Sequence, residues 1–195
     1  MSTTSYHICV LPGDGIGREV MPCALKVLQA AGQSVGRRFH FDTQAAGAQH
    51  YSETGVALPD AALKSCESAH AILFGAMGLP HVRGADGTEI IPQLDLRNLF
   101  DLYAGVRPIR SFAGLPPVLA SAEAAKIDLV LVRESTEGLF YARGRGEMVG
   151  DEVAYDTMKI SRHGTERVCE FAFRLAEQRA EQKGRAARLT NVDKA

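Results

Sequence analysis

Three arginines and one lysine stand out as groups that could do chemistry. Arg97 lies in Leu94-Asp95-Leu96-Arg97, Arg107 in Gly105-Val106-Arg107-Pro108, and Arg133 in Leu131-Val132-Arg133-Glu134-Ser135-Thr136-Glu137-Gly138. A guanidinium keeps its charge in proteins and offers a planar fork that holds a carboxylate through two parallel hydrogen bonds. Taken singly, each arginine reads first as one half of a surface ion pair, so the argument rests on the set. Arg133 is the most telling, because a charge at the C-terminal end of a buried strand sits where open α/β sheets bind ligands. Lys194, in Val192-Asp193-Lys194-Ala195, suits proton abstraction only if burial or neighbouring charge lowers its pKa, and is otherwise a frayed terminal lysine. Near the other end, Leu11-Pro12-Gly13-Asp14-Gly15-Ile16-Gly17 is a glycine loop able to turn tightly at positive φ.

The elements that position these groups alternate between strand and helix. His7 to Leu11 reads as a buried strand entering the glycine loop, and a helix follows from about Arg18 to Ala31. Val20, Ala24, Val27, Leu28 and Ala31 share one face at helical spacing, Pro22 is tolerable only near the first turn, and Gly32 suits the stop. Phe39–Thr43 and Ala71–Phe74 read as further strands, with a short helix capped by Asp60 between them. Gly75 to Pro92 is a long glycine-rich loop, of the kind usually functional or mobile. Leu94–Tyr103 is predicted helical and carries Arg97; Arg107 is extended, because Pro108 follows it. Asp128–Val132 is predicted to be a central strand covered on both faces. Glu147–Ile160 is polar and alternating, Ser161–Lys183 is the strongest helix, and Arg188–Asp193 returns to a strand. In that helix Val168, Phe171, Ala172, Leu175 and Ala176 form the apolar face, and Gly184 ends it. This order predicts an α/β fold with a largely parallel sheet.

Composition narrows the function classes. The 195 residues are 46% hydrophobic and 23% charged, which argues against disorder, and the net charge of −1 provides no global field for nucleic acid or an anionic membrane. Cys9, Cys23, Cys66 and Cys169 form no CxxC pair and read as reduced thiols, making a zinc site a poor expectation. The N-terminus lacks a basic signal-peptide region and no segment has transmembrane length, so a cytoplasmic protein is expected.

Strand, glycine loop and helix suggest a dinucleotide fingerprint, but Arg18 stands where its third glycine belongs, and a Rossmann fold is rejected. The longer string Leu-Pro-Gly-Asp-Gly-Ile-Gly-x-Glu-Val, the three arginine contexts and Val192-Asp193-Lys194-Ala195 together resemble the isocitrate/3-isopropylmalate/tartrate dehydrogenase family of metal-dependent β-decarboxylating dehydrogenases. The resemblance covers nearly all 195 residues. It implies an isopropylmalate-dehydrogenase-like α/β fold, with a parallel or mixed sheet flanked by helices. It also implies that residues 1–105 belong to a cofactor-side domain, and residues 106–195 to a dimerisation and substrate domain with a β-arm near 143–160.

Arg97, Arg107 and Arg133 match the family's arginines for the substrate carboxylates, and Lys194 matches its catalytic lysine, supplied across the dimer interface. Gly13, Asp14, Gly15, Ile16 and Gly75 fall at the cofactor side. The implied reaction oxidises a 2-hydroxy acid bearing a 3-carboxylate, reduces NAD in preference to NADP, and releases carbon dioxide with Mg²⁺ or Mn²⁺. The substrate is a small di- or tricarboxylate, the assembly a homodimer joined through the arm, and neither nucleic acid nor membrane is a partner. The family's metal-binding aspartates and adenosine loop lie beyond the lysine, so this sequence is expected to be an N-terminal part. It is expected to carry no metal ligands of its own and to be inactive in isolation. The other reading is a non-catalytic regulatory subunit or carboxylate-binding module.

Two departures bear on the chemistry. Seven residues after Arg133, where the family has a tyrosine that protonates the enol, this chain has Phe140, with Tyr141 beside it. A bulge could present Tyr141 instead, water could supply the proton, or the reaction could stop at oxidation. Before Arg97 the chain has Ile90, Ile91, Pro92, Gln93 and Leu94, without the acidic residue of isopropylmalate enzymes or the hydroxyl residue of isocitrate enzymes. A malate- or tartrate-like acid and a larger apolar one both remain open.

Overall fold

The strand β1, Thr4–Leu11, is the centre of a three-stranded parallel sheet of order β2-β1-β3, with β2 at Arg37–Thr43 and β3 at Ala71–Phe74. A strand flanked on both edges and covered on both faces must be apolar throughout, and Ile8 to Leu11 are all buried, three of them completely. The structure is a computed structural model and describes residues 4–116 and 119–192. Its residues divide into two compact units, Met1–Asp95 and Leu96–Ala195.

In the first unit α1, Ile16–Ser34, packs on β2 and covers the Ile8 and Val10 side of β1. Its buried positions are Gly17, Met21 and Gly32, with Leu25 packed against the core, whereas Val20 and Val27 are 50% and 70% exposed. The face predicted from aliphatic residues is therefore turned outward in part. Close approach decides this: a Cβ on Gly32 would come within 2.5 Å of the Phe39 ring, so the helix passes the sheet on its glycines. Gly32 accordingly lies inside the helix, not at its stop, and Pro22 falls beyond the first turn. Two short helices follow, α2 (Ala48–Thr54) and α3 (Asp60–Ser68), where Pro59 takes the N-cap position and Asp60 lies in the first turn.

The second unit is built on an antiparallel pair, β4 (Ala104–Arg110) with β5 (Asp128–Glu134), preceded by α4 (Pro92–Leu99), within which the two units divide. β5 is not covered on both faces among the described residues. Asp128, Val130, Val132 and Glu134 are half-buried, and α5 (Arg162–Lys183) packs on this strand; Leu129, Leu131 and Arg133 alternate onto an exposed face. α5 has the predicted stripe, half-buried at Val168, Phe171, Ala172, Leu175 and Ala176. It starts at a Ser161 N-cap whose hydroxyl accepts the Gly164 N–H at 3.0 Å, and it ends on left-handed Gly184. β6 (Glu147–Val149) and β7 (Val153–Tyr155) form an antiparallel hairpin on their own. Residues 188–192 adopt no regular strand, since an extended segment needs a ladder partner and the described residues provide none. Among the described residues no helix is long and apolar enough to cross a membrane.

Candidate active-site elements

The glycine loop begins where β1 ends, and it is held down by one side chain. Asp14 is 2% exposed, and its carboxylate accepts the N–H groups of Ala48 at 2.7 Å, Gln49 at 2.9 Å and Gly78 at 2.8 Å. Its own N–H donates to the Ala76 carbonyl at 2.7 Å. Gly47 precedes α2 and has no side chain with which to cap it, so Asp14 does so from 34 residues away. One carboxylate thus binds together the glycine loop, the start of α2 and the segment after β3. Asp14 was among the predicted cofactor-side residues; its carboxylate accepts three backbone N–H groups and also borders the cleft beside the loop.

The glycines divide by task. Gly75 passes Pro12 so closely that a Cβ would lie 2.0 Å from the Pro12 carbonyl oxygen, and at Gly17 it would lie 2.4 Å from that same atom. Gly13 has φ 76° and faces the Ala76 carbonyl. Gly15 is different: a Cβ there would meet nothing nearer than 3.9 Å, and Ile16 beside it is 59% exposed. Gly15 and Ile16 are therefore the open rim of the loop, while Gly13, Gly17 and Gly75 build it. The close-packing glycine that the fingerprint comparison sought at Arg18 is Gly17, one position earlier; Arg18 is exposed and donates to the Gln49 amide oxygen at 2.6 Å. A cleft of about 290 Å³ beside the loop is lined by Pro12, Gly13, Arg18, Gln44, Gln49 and His50, among others.

In the second unit Gly105 pairs with Arg133, and Arg107 with Leu131. Residues opposite one another in an antiparallel ladder, and those two apart along a strand, share a face. Arg107 and Arg133 therefore stand on the same exposed face as diagonal neighbours. Arg97 comes from α4, and its guanidinium lies 5.9 Å from the centre of the Phe140 ring, with that of Arg133 4.7 Å from the same centre. Phe140 is thus a shared cation–π platform for two of the three arginines. Among the described residues none of the three forms an ion pair with a carboxylate. Lys194 lies outside the described residues.

Phe140 and Tyr141 lie not in an extended segment but in successive turns, with the Tyr141 N–H donating to Gly138 at 3.2 Å and that of Ala142 to Leu139 at 3.3 Å. The two rings part company there. Tyr141 carries Arg145 at 3.8 Å and Lys159 at 5.2 Å, a different set of cations from those on Phe140. The loop before them is shaped by two carboxylates that sequence reasoning left aside, although both lie in the quoted arginine string. Glu134 accepts the N–H groups of Thr136 and Glu137 and the Thr136 hydroxyl. Glu137 accepts the Ser161 hydroxyl at 2.7 Å and the Ser161 N–H at 2.8 Å, and pairs with Lys159 at 3.3 Å. The Ser161 hydroxyl, its N–H and Lys159 hold the Glu137 carboxyl below the usual glutamate range. On α5, Arg167 donates to Asp101 and to the Thr136 hydroxyl and lies 4.5 Å from the centre of the Tyr103 ring.

A divalent cation needs several converging oxygen ligands, and the described residues contain no group of three or more His, Cys, Asp or Glu side chains able to hold one. Gly15 and Ile16 leave backbone and an apolar side chain exposed at the rim of the glycine loop.

With this geometry in view, the likenesses to known proteins are specific. The isocitrate/isopropylmalate dehydrogenase family model matches residues 7–195. The chain is 40% identical to the 3-isopropylmalate dehydrogenase of Moorella thermoacetica, over 97% of this chain and 53% of that protein. It is 35% identical to the tartrate dehydrogenase/decarboxylase of Pseudomonas putida, over 98% of this chain and 53% of that protein. The isocitrate dehydrogenase of Methylococcus capsulatus superposes with a TM-score of 0.71 at 32% identity, over 92% of this chain and 49% of the other. A β-decarboxylating dehydrogenase of Thermococcus kodakarensis superposes at 0.64 with 31% identity, over 90% and 46% respectively. The chain spans about half the length of the curated relatives it matches. On the glycine loop, the arginine face and a match along nearly its whole length, the chain belongs to the isocitrate/isopropylmalate dehydrogenase family.

Proposed function

We propose that this chain supplies the N-terminal part of an NAD-linked, Mg²⁺- or Mn²⁺-dependent dehydrogenase that oxidises and decarboxylates a 2-hydroxy acid with a 3-carboxylate. The observation that carries the reading is the exposed face bearing Arg107 and Arg133, with Arg97 and Arg133 drawn to one ring and no carboxylate of the described residues consuming their charge. Permanently charged forks without a carboxylate partner among the described residues are what a small di- or tricarboxylate needs.

The residues divide the work as follows. Arg97, Arg107 and Arg133 bind and orient the substrate carboxylates. Gly13, Asp14, Gly15, Ile16 and Gly75 form and hold the loop against which the nicotinamide rests; the cofactor, when bound, accepts the hydride. Lys194 takes the proton of the substrate hydroxyl. Residues 1–105 belong to the cofactor-side domain and 106–195 to the substrate and dimerisation domain, whose β6–β7 arm joins two copies. The arm leaves Met148 64% and Tyr155 62% exposed, as a surface meant for covering would. The metal ligands come from outside this chain, and the isolated chain does not turn over. A cytoplasmic location accords with this chemistry.

Phe140 favours a second reading, a regulatory subunit or carboxylate-binding module, because the ring beside two of the arginines has no proton to give. Calorimetry with chelator present separates the two. Under both readings 3-isopropylmalate, tartrate, malate or isocitrate binds the 195-residue chain and Arg133→Ala weakens it; binding indifferent to Arg133→Ala refutes both. Only the dehydrogenase reading expects NADH formation, with metal, from the protein that includes the continuation beyond Lys194. NADH formation by the isolated chain would overturn the assignment of the metal ligands to a region outside it.

A further inference from the structure

The end of α5 carries a concentration of positive charge that neither the arginine face nor the glycine loop uses. A cleft of about 220 Å³ is lined by Arg179, Arg185 and Arg188 and by alanines such as Ala180 and Ala187, with no acidic side chain in its wall. The helix C-cap builds it. Left-handed Gly184 turns the chain back, the Arg185 N–H closes on the Ala180 carbonyl at 3.1 Å, and the following residues cross the last turns of α5. Asp128 of β5 is divided between two of these cations. Its Oδ1 accepts from Arg179 at 2.7 Å, while its Oδ2 pairs with Lys183. Arg185 and Arg188 are exposed and have no ion pair among the described residues. Burial first, and then the charge of the nearby Arg185 and Arg110, press the Lys183 pKa down.

We propose that this cleft is a binding site for a small, multiply charged phosphoanion, such as pyrophosphate or a phosphate monoester. Arg179 is held in place by Asp128, and Arg185 and Arg188 supply two free forks of the geometry that phosphate oxygens accept in pairs. The alanine wall keeps the guanidinium groups uncrowded, and the volume equals several waters at about 30 Å³ each, enough for one such anion. The absence of carboxylates from the wall favours a ligand with two or more negative charges over a neutral one. The site lies wholly within the second unit and does not depend on the dehydrogenase reading.

Isothermal titration of the 195-residue chain with pyrophosphate at about 0.15 M salt tests it. A saturable event that persists in Arg133→Ala is expected, weakened roughly tenfold or more by Arg185→Ala/Arg188→Ala. Arg185→Lys, which keeps the charge and loses the fork, should weaken it less. Arg133→Ala and Arg162→Ala should leave that event intact. Both exchanged arginines are exposed, so circular dichroism should report an unchanged fold for the double variant. No saturable binding at this salt, equal binding by the double variant, or loss of the event in Arg133→Ala would each overturn the proposal, the last by assigning the anion to the carboxylate face.

Discussion

The Asp14 carboxylate accepts the Ala48 N–H at 2.7 Å, so the residue that ends the turn after β1 also starts the helix that follows β2. Two further N–H groups, of Gln49 and Gly78, share that acceptor. Asp14→Ala leaves three donors without it, and buried donors to a charged acceptor are expensive to orphan. A loss of about 3 kcal/mol or more is expected in urea unfolding. Asp14→Asn, which keeps one acceptor oxygen, should lose less. If Asp14→Ala unfolds at the same urea concentration as the parent, the clamp is not what holds the loop.

Two glycines should behave differently when given a side chain. At Gly75 a Cβ would lie 2.0 Å from the Pro12 oxygen, a backbone atom that cannot swing aside. Gly36, at φ 66°, has nothing within 4 Å, so alanine there meets only the strain of the left-handed region, about 1 kcal/mol. Gly75→Ala should therefore cost more than Gly36→Ala in the same denaturation experiment. Equal costs would mean that the loop shifts freely.

Glu137 links the turn that presents Phe140 to the start of α5. Its folded pKa lies below the ordinary value, through the Ser161 hydroxyl and N–H and then Lys159. A group of this kind contributes stability that is present above the unfolded glutamate pKa, about 4.3, and lost as pH falls through the lower folded value. Glu137→Gln should therefore melt at a lower temperature than the parent at pH 7, and the gap should close on acidification below the usual glutamate range. A gap independent of pH would assign the effect to shape instead of charge.

The thiols divide by position. Cys23 and Cys169 are exposed; Cys9 and Cys66 are buried with their sulfurs 3.5 Å apart, and burial, then the Cys9 neighbour, pushes the Cys66 thiol up to about 12. A thiolate-seeking reagent should modify Cys23 and Cys169 in the native chain and reach Cys9 and Cys66 only on unfolding. Peptide mapping after brief labelling checks this, and rapid labelling at Cys66 would contradict the burial.

Phe140 lies 4.7 Å from the Arg133 guanidinium, and Tyr141 faces Arg145 and Lys159. This arrangement disfavours Tyr141 as a substitute acid beside the arginines. On the dehydrogenase reading, carbon dioxide release should lag behind NADH formation in the protein that includes the continuation, and Phe140→Tyr should narrow the difference. Equal rates in the parent would sink the idea.

Much was legible in the sequence because it depends on local chemistry. The glycine string after an apolar strand, the Pro108 that keeps Arg107 extended, the apolar stripe of α5 and its Ser161 and Gly184 ends all follow from backbone preference and side-chain period, and they appear as read. The glycine string, the order of the arginine contexts and the Lys194 string together were enough to indicate the family. Other features were decided by contacts between residues far apart in the chain. α1 turned its valines outward because Gly17 and Gly32 allow closer packing than any aliphatic side chain, which no count of apolar positions could show. Asp14 became a clamp because a helix start 34 residues away lacked a cap. β5 read as a central strand because an apolar run looks the same whether two faces are covered or one; among the described residues it pairs with β4, and Leu129, Leu131 and Arg133 are exposed. Phe140 and Tyr141 separated onto different cations because turns, not an extended strand, present them. Local sequence sets what each segment can become; which donor meets which acceptor is settled only when distant segments compete for the same space.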